Sequence, residues 1–312
     1  MKWIRATTVT VGGQVFPYQG YEIHFTVNFD DTEDPDQGQI KIYNLTPDTE
    51  NNIEVGDHCI LESGYEGDTG TLLEGLVTDV HAEADGTERI CTIEVTDGTE
   101  QSLNKQITKT FDPGTTASEV AEFIASEAGL EMVDMRLEDD VEYKRGYHID
   151  GKARECLKDV VVNDAKSKCH VKHGGVYCVG WFDISDNTGI TLTKDTGLIE
   201  SPTRISGDHI IRSYEVDCLL EHRIRAGMDI SVFSETANGR YIIKKGTHKS
   251  DRSDHVTNFE MIDASATGTG PGGAPVDVGG DKDKLPDRLT DPSDKLAPPD
   301  GGPGGGGGGG AR

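Results

Sequence analysis

Apolar and polar residues alternate along most of the first hundred positions. "IRATTVTV", "YEIHFTVNF", "GQIKIYNL", "HCILESGY", "TLLEGLVTDVHAEA" and "ERICTIEVTDG" each carry the two-residue period or β-branched runs of a half-buried strand. Between them stand Gly12-Gly13, "DDTEDPDQG", "YEGDTG" and Asp85-Gly86, the last a two-residue hairpin signal. One helical turn is expected in "TPDTENNI", capped by Thr46 with Pro47 just inside. Short strands at close spacing indicate a sandwich or barrel, not an α/β sheet.

The period then changes. "TTASEVAEFIASEAGL" predicts a helix with Thr116 and Glu119 as a capping box, Val120, Ile124 and Ala128 on one face, and Gly129 closing it. A second helix is expected from about Lys152 to Ser167, with Asp150 as cap and Cys156, Leu157, Val160 and Val161 as its apolar stripe. The hairpin "KCHVKHGGVYCVGW" follows, read with Gly174-Gly175 as its turn. Strand alternation returns in "HIIRSYEVDCLL", "MDISVFSE", "GRYIIKKGTHK" and "HVTNFEMIDA", with Asn238-Gly239 expected between the second and third. The fold class is therefore mainly β with an α+β middle section. The expected parts are a first β domain at 1–102, an α+β domain at 103–196, a second β domain at 197–265 and a disordered tail at 266–312. That tail is rich in Gly and Pro and holds only scattered apolar residues, too few to offset its ordering entropy.

The two β sections echo each other. "NIEVGDHCILES" from Asn52 and "RIRAGMDISVFS" from Arg223 align without a gap. Ile53 falls on Ile224, Gly56 on Gly227, Cys59 on Ile230, Leu61 on Val232 and Ser63 on Ser234. A glycine entering a strand at positive φ is common to unrelated β domains, so the echo is informative only with the matching order of elements around it. It predicts that the strands around Gly56 and Gly227 coincide in order and direction.

Charge narrows the functional classes. The 56 acidic against 30 basic residues give −26, which repels nucleic acid but suits an acidic bore through which DNA passes without sticking. A high-salt host would also favour such a balance, although lysine is not depleted. No apolar run approaches bilayer length, and "MKWIRATTVTV" has no signal-peptide core. The six cysteines (Cys59, Cys91, Cys156, Cys169, Cys178 and Cys218) have no disulfide-framework spacing and read as buried free thiols.

Candidate chemistry is thin. Cys169, His170, His173 and Cys178 resemble a zinc set. Strand alternation places His170 opposite the other three, which leaves a packed hairpin face as the reading. The acidic pairs Asp30-Asp31, Glu33-Asp34 and Asp139-Asp140 lie in turns without the buried setting that acid–base catalysis needs. "DDTEDPDQG" lacks the ligand spacing of a calcium loop. Neither a nucleophile turn nor a phosphate-cradling loop is present. No catalytic, cofactor-binding or metal residues are assigned, and no cofactor is expected. His222, Arg223 and Arg225 in "EHRIRAG", with Lys244 and Lys245 in "RYIIKKGTHK", are candidate interface residues, with a solvated rim as the competing reading.

The ordered set of segments resembles the phage tail baseplate hub proteins, the tube-to-tip adaptors of tailed phages and related contractile injection systems. "GQIKIYNLTPDTENNIEVGDHCILESGYEGDTGTLLEGLVTDV" with "GTERICTIEVTDG" is similar to their N-terminal domain. "GLIESPTRISGDHIIRSYEVDCLLEHRIRAGMDISVFSETANGRYIIKKGTHKSD" is similar to their later domain. The resemblance spans about residues 1–264. It implies two similar β-barrel-like tube domains per chain and a homotrimer, hence a ring of six quasi-equivalent units. Implied partners are a hexameric tail tube or distal tail protein above, a spike or tail-tip protein below, and the tape measure protein. DNA would pass without specific binding, and the protein would be a virion component assembled in the host cytoplasm, with no enzymatic activity. A tail-associated cell-wall-degrading enzyme and a cell-surface binding module are the alternatives.

Overall fold

The computed structural model describes residues 4–32, 35–172, 175–184, 186–205 and 212–264, all within one compact unit, Met1–Val276. The expected tail at 266–312 lies outside them. The N-terminal β section comprises β1 (Arg5–Val11), β2 (Gln14–Pro17), β3 (Ile23–Asp30), β4 (Gln37–Tyr43), α1 (Pro47–Glu50), β5 (His58–Tyr65), β6 (Asp68–Asp85) and β7 (Glu88–Asp97). Its alternating residues converge on one core that includes Val9, Phe16, Ile40, Leu61, Leu73 and Ile93.

The middle section contains α2 (Glu100–Leu103), β8 (Gln106–Phe111), β9 (Thr115–Thr116), α3 (Ala117–Ala128), β10 (Glu131–Arg136), β11 (Glu142–Tyr143) and β12 (Tyr147–Lys152). It continues through α4 (Ala153–Leu157), a π-helical extension (Lys158–Asp164), β13 (Lys168–Lys172) and β14 (Gly175–Val179). A second core gathers Val120, Ile124, Leu157, Val161, Cys169 and Cys178. The C-terminal section holds β15 (Asp186–Leu192), β16 (Thr203–Arg204), β17 (Ser213–Leu219), β18 (Met228–Phe233), β19 (Asn238–Ser250) and β20 (His255–Asp263). A third core there includes Val216, Ile230, Val232, Ile243 and Met261. The chain is mainly β, with its helices in the middle section except for the single turn α1.

Local signals act largely as the residues dictate. Thr46 accepts a bond from the Thr49 N–H at 3.2 Å to start α1. Thr116 and Glu119 form the expected capping box of α3, and Gly129 ends it at φ +77°. Asp150 does not cap the second helix. The β8–β12 ladder runs on to Lys152 opposite Gln106, so Asp150 stays in the strand and accepts from the Thr108 hydroxyl at 2.7 Å. Lys152 takes the cap position instead, and its N–H reaches the Glu155 carboxylate at 3.3 Å.

Three turns also shift. Asp85 pairs with Glu88, so Gly86 and Thr87 make that turn. Asn238 and Gly239 open β19, because Phe233 already pairs with Asn238 and residues 234–237 connect the strands. In the β13–β14 hairpin Cys169 stands opposite Cys178 and Val171 opposite Val176. Gly175 already pairs, opposite Lys172, and so belongs to the strand rather than to the expected Gly174-Gly175 turn; 173–174 lie outside the described residues. Moving a hairpin turn by one residue changes the partners but keeps each side chain on its face, so alternation alone does not fix the register.

Thirteen strands form one sheet, along the path β16-β17-β20-β19-β3-β4-β7-β6-β5-β1-β2, with β18 on β19 and β15 on β18. Among the described residues the path does not close into a barrel. Within it one pattern occurs twice. The N-terminal order β3-β4-β7-β6-β5-β1 matches the C-terminal order β16-β17-β20-β19-β18-β15. Directions agree except at the last pair, antiparallel for β1–β5 and parallel for β15–β18. Register agrees too: Gln37 faces Thr96 where Ser213 faces Ile262. The β6–β7 ladder skips one residue between Val77 and Asp79, and the β19–β20 ladder does so between Ile243 and Lys245.

Gly56 and Gly227 occupy equivalent places in this pattern. Each has positive φ, +95° and +79°. Each donates its N–H at 2.8 Å to the residue just before the skipped position, Val77 and Ile243 respectively. The apolar residues aligned around them, Ile53 with Ile224, Cys59 with Ile230 and Leu61 with Val232, are all buried.

Candidate assembly surface

The two β sections are joined by a hydrogen-bonded seam. Beyond the irregularity at Lys244, β19 pairs along its second edge with β3, from Lys245 opposite Asp30 to Ser250 opposite Phe25. Thr247 donates to Asn28 across it at 2.9 Å. Under the seam lies His248, only 2% exposed, its ring 4.8 Å from that of Phe29. His248 Nδ1 is 2.9 Å from the Thr257 hydroxyl, and Nε2 is 3.1 Å from the Ile224 carbonyl. Burial, aided by the nearby Arg225 charge, lowers its pKa to about 3, so the ring is neutral at pH 7. Its neutral imidazole supplies one N–H donor, and the Ile224 carbonyl can only accept, which places that proton on Nε2. His255 spans the same join: its Nε2 is 2.9 Å from the Gly64 carbonyl, and its ring meets Tyr65 edge-on at 5.1 Å.

A charged knot ties in the middle section. Asp31 pairs with Lys244 of β19 and stands 3.7 Å from the ammonium of Lys168 on β13. Lys168 is 1% exposed, and desolvation lowers its pKa to about 8. One carboxylate thus holds together side chains from all three sections.

The five candidate interface residues are brought to this join within a single chain. His222 packs against Gly70 of β6, where an added Cβ would lie 2.2 Å from the imidazole Cδ2. Arg223 binds Glu221 at 2.7 Å and reaches Asp68 of β6 at 3.1 Å. Arg225 donates to the Thr71 carbonyl at 2.6 Å. Lys244 pairs with Asp31 and lies 5.9 Å from the Trp181 ring centre, and Lys245 pairs with Glu260 at 2.9 Å. Arg223 and Lys245 keep about half of their side chains exposed.

Other sequence candidates fall apart as sites. Cys169 and Cys178 are buried with sulfurs 3.7 Å apart, while His170 stacks on Tyr177 at 5.0 Å on the other side; His173 lies outside the described residues. Among the described residues no group of three or more His, Cys, Asp or Glu could hold a metal ion. Asp30 folds back onto Thr32, and Asp140 accepts from the Ser118 N–H and hydroxyl at the start of α3. Glu33 and Asp34 lie outside the described residues. All six cysteines are free and buried, and burial pushes the Cys59 thiol up to about 12 and Cys91 to about 11. No helix among the described residues is long and apolar enough to cross a membrane.

Sequence reasoning missed His248, His255, Lys168 and the role of Asp31. The burial of the first two depends on partners across the sheet, such as the Ile224 and Gly64 carbonyls, which alternation does not name, and Lys168 carries no local signal of burial.

No protein-family model matches the sequence, and no curated protein matches it. Solved structures do share the fold. A 43 kDa tail protein of prophage MuSo2 from Shewanella oneidensis superposes with a TM-score of 0.62 at 10% identity, covering 83% of this chain and 97% of that one. The tail protein from Neisseria meningitidis MC58 gives 0.57 at 10% identity, covering 84% and 97%. An E. coli type VI secretion system component, which exhibits structural similarity to the T4 bacteriophage tail proteins gp27 and gp5, gives 0.51 at 12%, covering 78% and 73%. Over more than four-fifths of its length the fold of this chain is that of these tail proteins.

Proposed function

We propose that the chain is the structural hub at the tip of a phage-like tail. Three copies form a ring that adapts a sixfold tail tube, or a distal tail protein on it, to a threefold spike or tip. The observation that carries this reading is the double occurrence of one strand order and register in one chain, joined by a continuous ladder. Two equivalent units per chain let a trimer present six similar surfaces on one side and three on the other.

In this reading residues 1–102 and 197–265 act as two barrel-like tube units, 103–196 lies outside the ring or meets the tip, and 266–312 is a tether. The tape measure protein is a transient neighbour inside the tube, and the excess of acid keeps exiting DNA from adhering to the lumen. Arg223 and Lys245, whose side chains stay about half exposed, can add contacts to neighbouring copies. The function is structural, carried out in the virion tail after assembly in the host cytoplasm.

Particle mass in solution combined with low-resolution imaging tests the proposal. A hollow threefold ring is expected, and a compact monomer at every concentration overturns it. Release of fragments from purified cell wall by this chain alone would favour the wall-degrading alternative.

A further inference from the structure

The β13–β14 ladder brings two thiols together. Cys169 and Cys178 stand directly opposite each other on antiparallel strands, and their sulfurs are 3.7 Å apart. Both side chains are buried, at 1% and 0% exposure, in the core of the middle section with Val171 and Val176. The other four thiols are set differently. Cys59 on β5 and Cys91 on β7 have β6 running between their strands, and Cys156 lies on α4. The Cys218 thiol donates to the Thr257 carbonyl at 3.4 Å.

A disulfide needs sulfurs about 2.0 Å apart and Cβ atoms about 3.5–4.5 Å apart, whereas opposite residues on paired strands hold their Cβ atoms about 4.5–5.5 Å apart. The sulfurs therefore have less than about 2 Å still to close, and the strands about 1 Å. β13 can supply that movement. It is the outer strand of the order β10-β14-β13 and pairs with β14 alone among the described residues, so it closes on β14 without parting from another strand. β14 is held on its far edge by β10, where Met135 stands opposite Cys178.

We propose that Cys169 and Cys178 are a latent disulfide, reduced while the chain folds and closed in the folded chain once it meets an oxidising small disulfide. One cysteine thiolate attacks a sulfur of the small disulfide and expels half of it as a thiolate. The second then attacks the mixed disulfide at the protein sulfur and expels the other half. The protein gives up two electrons and two protons, and the small disulfide takes them up and leaves as two thiols. A reducing cytoplasm keeps the pair open, and release from the cell removes that restraint. The bond staples the strand that carries Lys168, whose ammonium stands beside Asp31 where the three sections meet. Nothing in this chemistry depends on a ring.

The folded, fully reduced full chain is incubated with hydroxyethyl disulfide, quenched with acid and unfolded, and its remaining thiols are alkylated before tryptic mapping. Trypsin cuts after Lys168 and Lys172, so the two cysteines fall on separate peptides. Two of the six thiols are expected to escape alkylation, with the Cys169 and Cys178 peptides recovered as one linked species. Cys156→Ser is expected to keep that linkage and Cys169→Ser to lose it, and the map of the native chain stands whether or not either variant folds. The urea midpoint of the oxidised chain should lie above that of the reduced chain and fall back with dithiothreitol. Six alkylated thiols after prolonged incubation, a mixed disulfide on either cysteine without linkage, or a bond between another pair overturns the proposal. A linked pair with an unchanged midpoint overturns the staple.

Discussion

His248 makes the stability of the join depend on acid. In the folded chain its pKa lies at about 3, against 6.5 for an ordinary histidine. Between those values the unfolded chain binds a proton that the folded chain refuses, so each unit of falling pH favours unfolding. The contribution is whole above pH 6.5 and is lost progressively towards pH 3. At about 1.4 kcal/mol per unit, lowering the pH from 6.5 to 4 removes roughly 3 kcal/mol through this one ring. That is a large share of a typical domain's stability, about 5–15 kcal/mol.

The measurement is urea unfolding followed by circular dichroism at pH 7, 5.5 and 4, on the native chain and on His248→Gln. Glutamine can still donate to the Ile224 carbonyl but does not titrate. The variant is expected to start less stable and to lose about 3 kcal/mol less between pH 6.5 and 4. Carboxylate protonation affects both chains alike, so the difference isolates the ring. Equal losses in the two chains would refute the reasoning.

Two further predictions follow from the same join. Asp31→Ala leaves Lys168 buried beside Lys244 with only the weaker charge of Asp183 to offset it, and is expected to cost about 3 kcal/mol in unfolding experiments. Adding Lys168→Met should recover more than half of that loss, and no recovery would sink the account of the knot. Gly56→Ala meets no atom within 4 Å, so its φ of +95° alone should cost about 1–2 kcal/mol. Gly227→Ala, with the same hydrogen bond at φ +79°, should shift the thermal midpoint in the same direction, and an unchanged midpoint in either would remove the strain argument.

Strand alternation and capping chemistry were legible because they are local. The capping box at Thr116 needs only residues three apart, and the buried positions of β5 and β18 show in their own two-residue period. The echo around Gly56 and Gly227 was legible as a pattern. Its meaning appeared only when both glycines were seen bonded to equivalent residues across a ladder. The β3–β19 seam was not legible, because alternation tells which face is buried and says nothing of which remote strand lies alongside. Asp31 looked like one more acid in a solvated turn, since the two lysines it holds are 137 and 213 residues away. The change from α-helix to π-helix at Lys158 was likewise hidden, as Val160 and Val161 are apolar stripe residues in either geometry.

The irregularity at Lys244 divides β19 into a stretch held by β18 and a stretch held by β3, with β20 running alongside both. Mechanically, one continuous strand is the tie between the two β sections. Antiparallel hydrogen bonds lie across the strands. Tension along the strand axis therefore loads the pairs from Lys245–Asp30 to Ser250–Phe25 together, whereas a peeling force breaks them one after another from an end. The seam is strong in shear and weak in peel, so the direction from which a neighbour pulls decides whether this subunit holds or opens.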